Sequence, residues 1–217
     1  MRAEVLNTPA ERRRLKVREM ILSAAERVFA DEGAEGLSIR RLARKIDYSP
    51  AAIYKYFESK DELVDELKET FFADILENVH RIADTSRPLT ERARDCVSTY
   101  VRLAVEKPYH YCAAFAGRGV LSGHDVGDPG FEDTNKGQAF TVLCGMVQEG
   151  VEAGLFRPEL DPTLAAKSVW ASMHGLAMMI AHIPTFPALK PELDTVSQDK
   201  FIDLHADLIV CGLEIGS

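Results

Sequence analysis

The chain has 217 residues, 46% hydrophobic and 28% charged, an ordinary globular composition with length enough for a substantial core in one large domain or in a small and a larger one. It has no run of about 18 apolar residues to span a bilayer, and its first residues lack the apolar core of a signal peptide. The expectation is a cytoplasmic protein. The net charge of -8 is unevenly placed: residues 1–60 hold 13 Lys/Arg against 9 Asp/Glu, and residues 61–217 hold 13 against 25. Only the first part carries the cationic surplus that contact with a polyanion needs.

Residues 1–14 read as a flexible basic arm ending in Arg12, Arg13 and Arg14. Its cations are either a solvated helix end or, as favoured beside the segment that follows, contacts to phosphate or a minor groove. Val17, Met20, Ile21, Ala24, Ala25, Val28 and Phe29 then recur at helical spacing, and Gly33 reads as the stop. Two short helices follow. Ile39, Leu42, Ala43 and Ile46 mark one face of the first, with Ser38 as its cap; Ser49 caps the second, Pro50 takes its first position, and Ile53 and Phe57 face inward. Asp47 and Tyr48 form the turn between them. This is a helix-turn-helix whose second helix leaves a small-residue face flanked by Tyr and Lys, a shape that enters a major groove.

The run Arg18–Leu63 resembles the N-terminal domain of the tetracycline-repressor (TetR) family of bacterial transcription regulators. The matching positions are Ile21, Ala24, Ala25, Phe29, Gly33, Leu37, Ser38, Ile39, Leu42, Ala43, Ser49, Ile53, Tyr54, Tyr56, Phe57, Lys60 and Leu63. One departure is Asp47, where the family usually has a left-handed glycine; Asp tolerates that conformation at modest cost, so the turn is expected to survive. The resemblance implies a homodimeric repressor on a palindromic double-stranded operator, released by a small effector. It also implies a phosphate contact at Lys60. The readings left beside it are an activator, a regulator controlled by a protein, and a ligand-binding protein or enzyme with a non-working head.

Within residues 15–60, the helix-turn-helix domain, the DNA-contacting set is Arg14 from the arm, Ser38, Arg40 and Arg41 of the first short helix, Ser49, Pro50, Ala51, Ala52, Tyr54, Lys55 and Tyr56 of the second, and Lys60. A phenol at the groove edge can bury its ring and offer its hydroxyl to phosphate, and Lys55 can reach a phosphate or a guanine edge. With no Asn, Gln or Arg from Ser49 to Phe57, bidentate base contacts are few, and specificity leans on apolar contacts and DNA shape.

Residues 61–217 read as a helical ligand-binding and dimerisation domain. A capping box of Ser59 and Glu62 opens a long helix through Leu63, Leu67, Phe71, Ile75 and Val79. After a loop at 84–87 come a helix from Pro88 to Glu106, a short aromatic helix over 109–115, and a glycine-rich stretch, 117–130, expected to be a mobile loop. Phe140, Leu143, Met146, Val147 and Val151 mark the next helix, stopped near Gly154; Asp161 and Pro162 begin another that Pro184 closes, and a proline-rich link over 184–191 leads to the last. The whole is an all-α fold of about nine helices. Wide apolar surfaces on the last two suit a symmetric four-helix dimer interface.

Trp170-x-x-x-His174-Gly175 is similar to a pattern in the C-terminal domain of one TetR subfamily. Trp170 and His174 are either a packed core pair or, with Tyr109, Tyr111, Phe115, Phe140, Met146 and Met178, the wall of an apolar cavity with a few polar handles for a small, largely apolar ligand. A charged ligand is not demanded, since no cluster of Lys or Arg occurs there. Cys96, Cys112, Cys144 and Cys211 are scattered without metal-ligand spacing and read as small buried apolar residues. No catalytic, metal or cofactor motif is found, and no enzyme is expected.

Overall fold

The computed structural model describes residues 8–83, 86–115, 130–183, 186 and 197–216. Among them are nine α-helices and one 3₁₀ turn: α1 (Pro9–Gly36), α2 (Ile39–Lys45), α3 (Pro50–Ile53), α4 (Lys60–Ala83), α5 (Leu89–Glu106), α6 (Pro108–Phe115), the turn Phe131–Asp133, α7 (Asn135–Glu152), α8 (Pro162–His182) and α9 (Gln198–Leu213). The described residues contain no strand beyond an isolated bridge between Phe156 and Glu214. The chain divides into two compact units. One is Met1–Thr70 with Tyr109–Arg118; the other is Phe71–Pro108 with Gly119–Ser217.

In the first unit, the start of α1 corrects the expected arm. Thr8 accepts from the Glu11 amide, and the Glu11 carboxylate accepts from the Thr8 amide at 2.6 Å, a capping box that satisfies two orphan donors and draws residues 9–14 into the helix. Nor does α1 stop at Gly33. That glycine is not left-handed, its cost inside a helix is only about 1 kcal/mol, and the helix runs to Gly36 before Leu37 takes extended geometry. Ile21, Ala24, Ala25 and Val28 of α1, Ile39, Leu42 and Ala43 of α2, Ile53 of α3, Phe57, and Leu63 and Leu67 of α4 make one buried core, and Ala113 of α6 belongs to it. The side chain of Phe29 lies outside the described residues.

The second unit holds α5, α7, α8, α9 and the later part of α4. Helix α5 is its hub, packed on α7, α8 and α9. Buried Arg92 donates to the carbonyls of Arg87 (3.1 Å) and Ala83 (3.2 Å) and to Glu149 of α7 (2.6 Å), so the end of α4, the α5 approach and α7 share one charge-assisted anchor. Two more arginines of α5 hold α9: Arg94 pairs with Asp207 at 2.7 Å and Glu214 at 3.3 Å, Arg102 with Asp203 at 2.6 Å and Asp199 at 3.3 Å. Gly154, φ +66°, ends α7 as expected. The expected mobile loop at 117–129 and most of the proline-rich link, 184–185 and 187–191, lie outside the described residues, as do 84–85 of the expected loop.

Candidate functional site

Two candidate regions emerge, one in each unit. The first is built on α2 and α3. Ser38 accepts from the Arg41 amide at 3.3 Å and Ser49 from the Ala52 amide at 3.1 Å, so each short helix starts on a side-chain cap as its sequence demands. Asp47 sits at φ 55°, and the Tyr48 amide donates to the Ala43 carbonyl at 2.9 Å. This is a Schellman closure with Asp in the place glycine usually takes, and it holds α3 at a defined angle to α2. In the same way Ser59 accepts from the Glu62 amide at 3.0 Å, while the Glu62 carboxylate reaches back to the amide of Glu58.

The four residues of α3 bury a single side chain, Ile53. Ala51 and Lys55 are exposed, Tyr54 is 53% exposed, and Pro50, Ala52 and Tyr56 are half-buried. Arg14 lies over the Tyr56 ring with its guanidinium carbon 5.9 Å from the centroid. Arg40 is exposed. Arg41, by contrast, makes an ion pair with Glu32 of α1, and Arg18 lies 4.6 Å over the Phe57 ring and 3.0 Å from Glu66. Those two cations brace the unit internally.

The second region is a cavity in the other unit, with about 460 Å³ of empty space, part of it open to solvent. Its wall takes Phe72, Ile75 and Val79 from α4, Cys96 and Tyr100 from α5, Phe131 from the 3₁₀ turn, Lys136, Ala139, Phe140 and Leu143 from α7, and Trp170 and Met173 from α8. Trp170 Nε1 donates to the Tyr100 hydroxyl at 3.3 Å, and the Phe140 and Trp170 rings lie 6.1 Å apart. The Lys136 ammonium lies 5.1 Å from the Trp170 centroid, 5.9 Å from Phe131 and 6.0 Å from Phe72, close enough for ring faces to offset part of its desolvation. Gly137 must be glycine here, since a Cβ would stand 1.9 Å from the Phe131 carbonyl oxygen.

Of the eight residues expected to bind a ligand, Phe140 and Trp170 line this cavity. Tyr109, Tyr111 and Phe115 belong to the first unit. Helix α6 contributes Ala113 to the first unit's core, Tyr111 is fully buried with its ring tilted against that of Phe115 at 5.1 Å, and His110 pairs with Glu26 at 3.0 Å. The Tyr111 and Phe115 rings pack there, while Tyr109 is 42% exposed. Met146 lines a smaller apolar cleft between α5, α7, α8 and α9, and Met178 and His174 are half-buried on α8 outside the lining set. Burial, and then the field of Lys136, hold the His174 imidazole below its ordinary pKa, so it is neutral near pH 7. Burial, aided by Asp95, pushes the Cys96 thiol up to about 12, which leaves an inert thiol in the wall. Sequence reasoning missed Lys136 and the α4 face. The spacing of Phe71, Ile75 and Val79 was legible, but not Phe72 nor which side of a long helix meets a cavity.

A capped helix pair with an exposed second helix, joined in one all-α chain to a helical unit with an apolar cavity, defines a helix-turn-helix transcription regulator. The family model of bacterial regulatory proteins, tetR family, matches residues 21–67, and that of the tetracyclin repressor-like C-terminal domain matches residues 93–199. The chain belongs to the TetR family. The transcriptional repressor KstR2 of Mycolicibacterium smegmatis is 24% identical over 177 residues, 80% of this chain and 83% of that protein. An uncharacterized HTH-type transcriptional regulator of Haemophilus influenzae is 33% identical over 76 residues, and that match spans 35% of this chain and 41% of that protein. The structure of the ketosteroid transcriptional regulator KstR2 of Mycobacterium tuberculosis shares the fold, with a TM-score of 0.69 at 19% identity over 92% of this chain and 96% of the other.

Proposed function

We propose that this TetR-family protein is a homodimeric repressor that binds a palindromic operator through α2 and α3 and is released by a small, largely apolar ligand in the second unit's cavity. The observation that carries the reading is α3 with the turn that follows it: Pro50–Ile53 buries only Ile53, and Ala51, Tyr54 and Lys55 are exposed, so the segment contributes little to its own unit. Such a segment is spared for an outside partner. Small residues allow close approach to base edges, Tyr54 and Lys55 reach phosphate, and the caps at Ser38 and Ser49 set the angle of entry. Arg14, Arg40, Tyr56 and Lys60 extend the contact along the backbone, whereas Arg41 acts through α1.

Two such heads enter successive major grooves when about 34 to 36 Å apart, which calls for a dimer. Exposed Leu164 and Met179 of α8, exposed Leu204 and Leu208 of α9, and open space around Gly175 support pairing through the last two helices. Helix α4 supplies the coupling. Leu63 and Leu67 sit in the head's core, while Phe72, Ile75 and Val79 face the cavity, so a ligand that shifts the later face acts on a strut that begins in the head. A differential affinity of roughly 1 to 3 kcal/mol, five- to 150-fold, is enough to switch occupancy.

The test is fluorescence-anisotropy titration of the protein with its own upstream intergenic DNA beside scrambled DNA over a salt series. Tight, sequence-selective binding with a steep salt slope is expected. Equal, weak binding to both would count against the reading.

A further inference from the structure

We infer, on the reading of α2 and α3 as the DNA-binding head, that Arg14 and Tyr56 form one phosphate clamp: the ring holds the guanidinium in place, and the two side chains grip the same backbone phosphate of the operator. From Thr8 to Lys16 every residue is exposed, so core burial does not order the opening turns of α1. Local ties do. The reciprocal bonds of Thr8 and Glu11 close the helix start, and the Arg14 guanidinium lies over the Tyr56 ring at 5.9 Å, within the reach of a cation–π contact. Tyr56 is half-buried and packs against the head's core, so its ring is a fixed platform.

One turn further along α1 the same arrangement has a different end. Arg18 lies over the Phe57 ring at 4.6 Å, and Glu66 answers its charge at 3.0 Å. Arg14 is exposed and, among the described residues, has no carboxylate partner. A ring face orients a guanidinium without cancelling its charge, and the edge of the planar fork stays open to two phosphate oxygens. The Tyr56 hydroxyl is a donor on the same platform. These turns bury nothing, yet they are capped and stacked so as to hold a cation beside the segment that follows α3. That suits a polyanionic backbone outside the unit, since the unit itself gains little from it.

The test is anisotropy titration of the full chain with its own upstream intergenic DNA, beside scrambled DNA, over a salt series, with thermal melts of every variant. Arg14→Met is expected to weaken operator binding about tenfold and to lower the slope of log affinity against log salt by about one. Tyr56 carries no charge, yet Tyr56→Leu should lower the slope by the same amount, because Arg14 loses its platform; Tyr56→Phe should keep the slope. The two losses, Arg14→Met and Tyr56→Leu, should sum to more than the loss in the double variant. Arg14→Lys keeps the charge without the planar fork and should bind more weakly than the parent. Glu11→Ala removes a negative charge near the duplex, which by electrostatics alone would tighten binding, but through the lost cap it should weaken it. A parental slope in Tyr56→Leu, additive losses in the double variant, or tighter binding by Glu11→Ala overturns the clamp and leaves the head reading standing. Should Tyr56→Leu fail to fold, Arg14→Lys decides, and parental affinity there overturns the clamp as well. If the unaltered protein binds both DNAs equally, the head reading itself falls, and the clamp with it.

Discussion

At the scale of single residues, the proposed contacts to DNA and the protonation of the second unit's half-buried histidines separate cleanly. Lys55 is exposed in the turn that follows α3. Lys55→Ala is therefore expected to weaken operator binding about tenfold and to lower the slope of log affinity against log salt by about one, as loss of one phosphate contact does. Unchanged affinity in an anisotropy titration at fixed salt would remove Lys55 from the interface. His174 and His205 both have lowered pKa values, with burial the leading cause in each. A depressed folded pKa means that the unfolded chain binds the proton first, so the stability these residues contribute is present above the ordinary value of 6.5 and is lost as pH falls below it. The melting temperature is expected to drop as the pH falls below about 6.5. His174→Gln should flatten part of that drop; a pH profile identical to the parent's would refute the assignment.

At the scale of elements, the turn between α2 and α3 tests how much strain the head tolerates. Asp47 at φ 55° fills a left-handed position that suits glycine, and Asp47→Gly is expected to stabilise the protein by roughly 0.5 to 1 kcal/mol with operator affinity unchanged. A melt that shows destabilisation would mean that the Asp side chain holds the turn by bonds of its own. Gly137→Ala should do the reverse in the second unit. A methyl driven to 1.9 Å from the Phe131 carbonyl oxygen forces the 3₁₀ turn off α7, with a loss of about 1 to 3 kcal/mol in a thermal melt and a disturbed cavity wall, since Phe131 lines it. The sequence made the helices legible because their signals are local: Ser38, Ser49 and Asp161 are caps in the structure as they are in the text of the chain. The cavity was half legible. Trp170 and Phe140 stood out as aromatics on amphipathic helices, but whether Tyr111 faces a cavity or a core depends on which unit α6 joins, and that is a tertiary choice with no local mark. Lys136 was hidden for a related reason, because a lone lysine near a helix start reads as solvated surface until three rings are seen around it.

At the scale of the whole molecule, the proposed dimer rests on the apolar face of α9. Leu208 is 66% and Leu204 52% exposed on α9, more apolar surface than one helix of a monomer commonly leaves to water. Leu208→Glu is expected to leave the fold intact, shift light scattering to the mass of one chain, and lower operator affinity by about 100-fold, because each head then loses the high local concentration of its twin. A Leu208→Glu protein that still scatters as a dimer would place the interface elsewhere.

The four carboxylates of α9 and its C-terminal cap held by Arg94 and Arg102 carry a consequence for how the number of phosphates is counted. Added salt strips counterion-sensitive contacts wherever they lie, and these pairs are partly open to solvent, so the ions that loosen protein from DNA also loosen the helix proposed to join the two chains. A slope read from operator binding would then mix released phosphate counterions with subunit dissociation and overstate the footprint. Repeating the salt series far above the dimer dissociation constant separates the two, and the shallower slope found there is the one that counts lysines and arginines on the duplex.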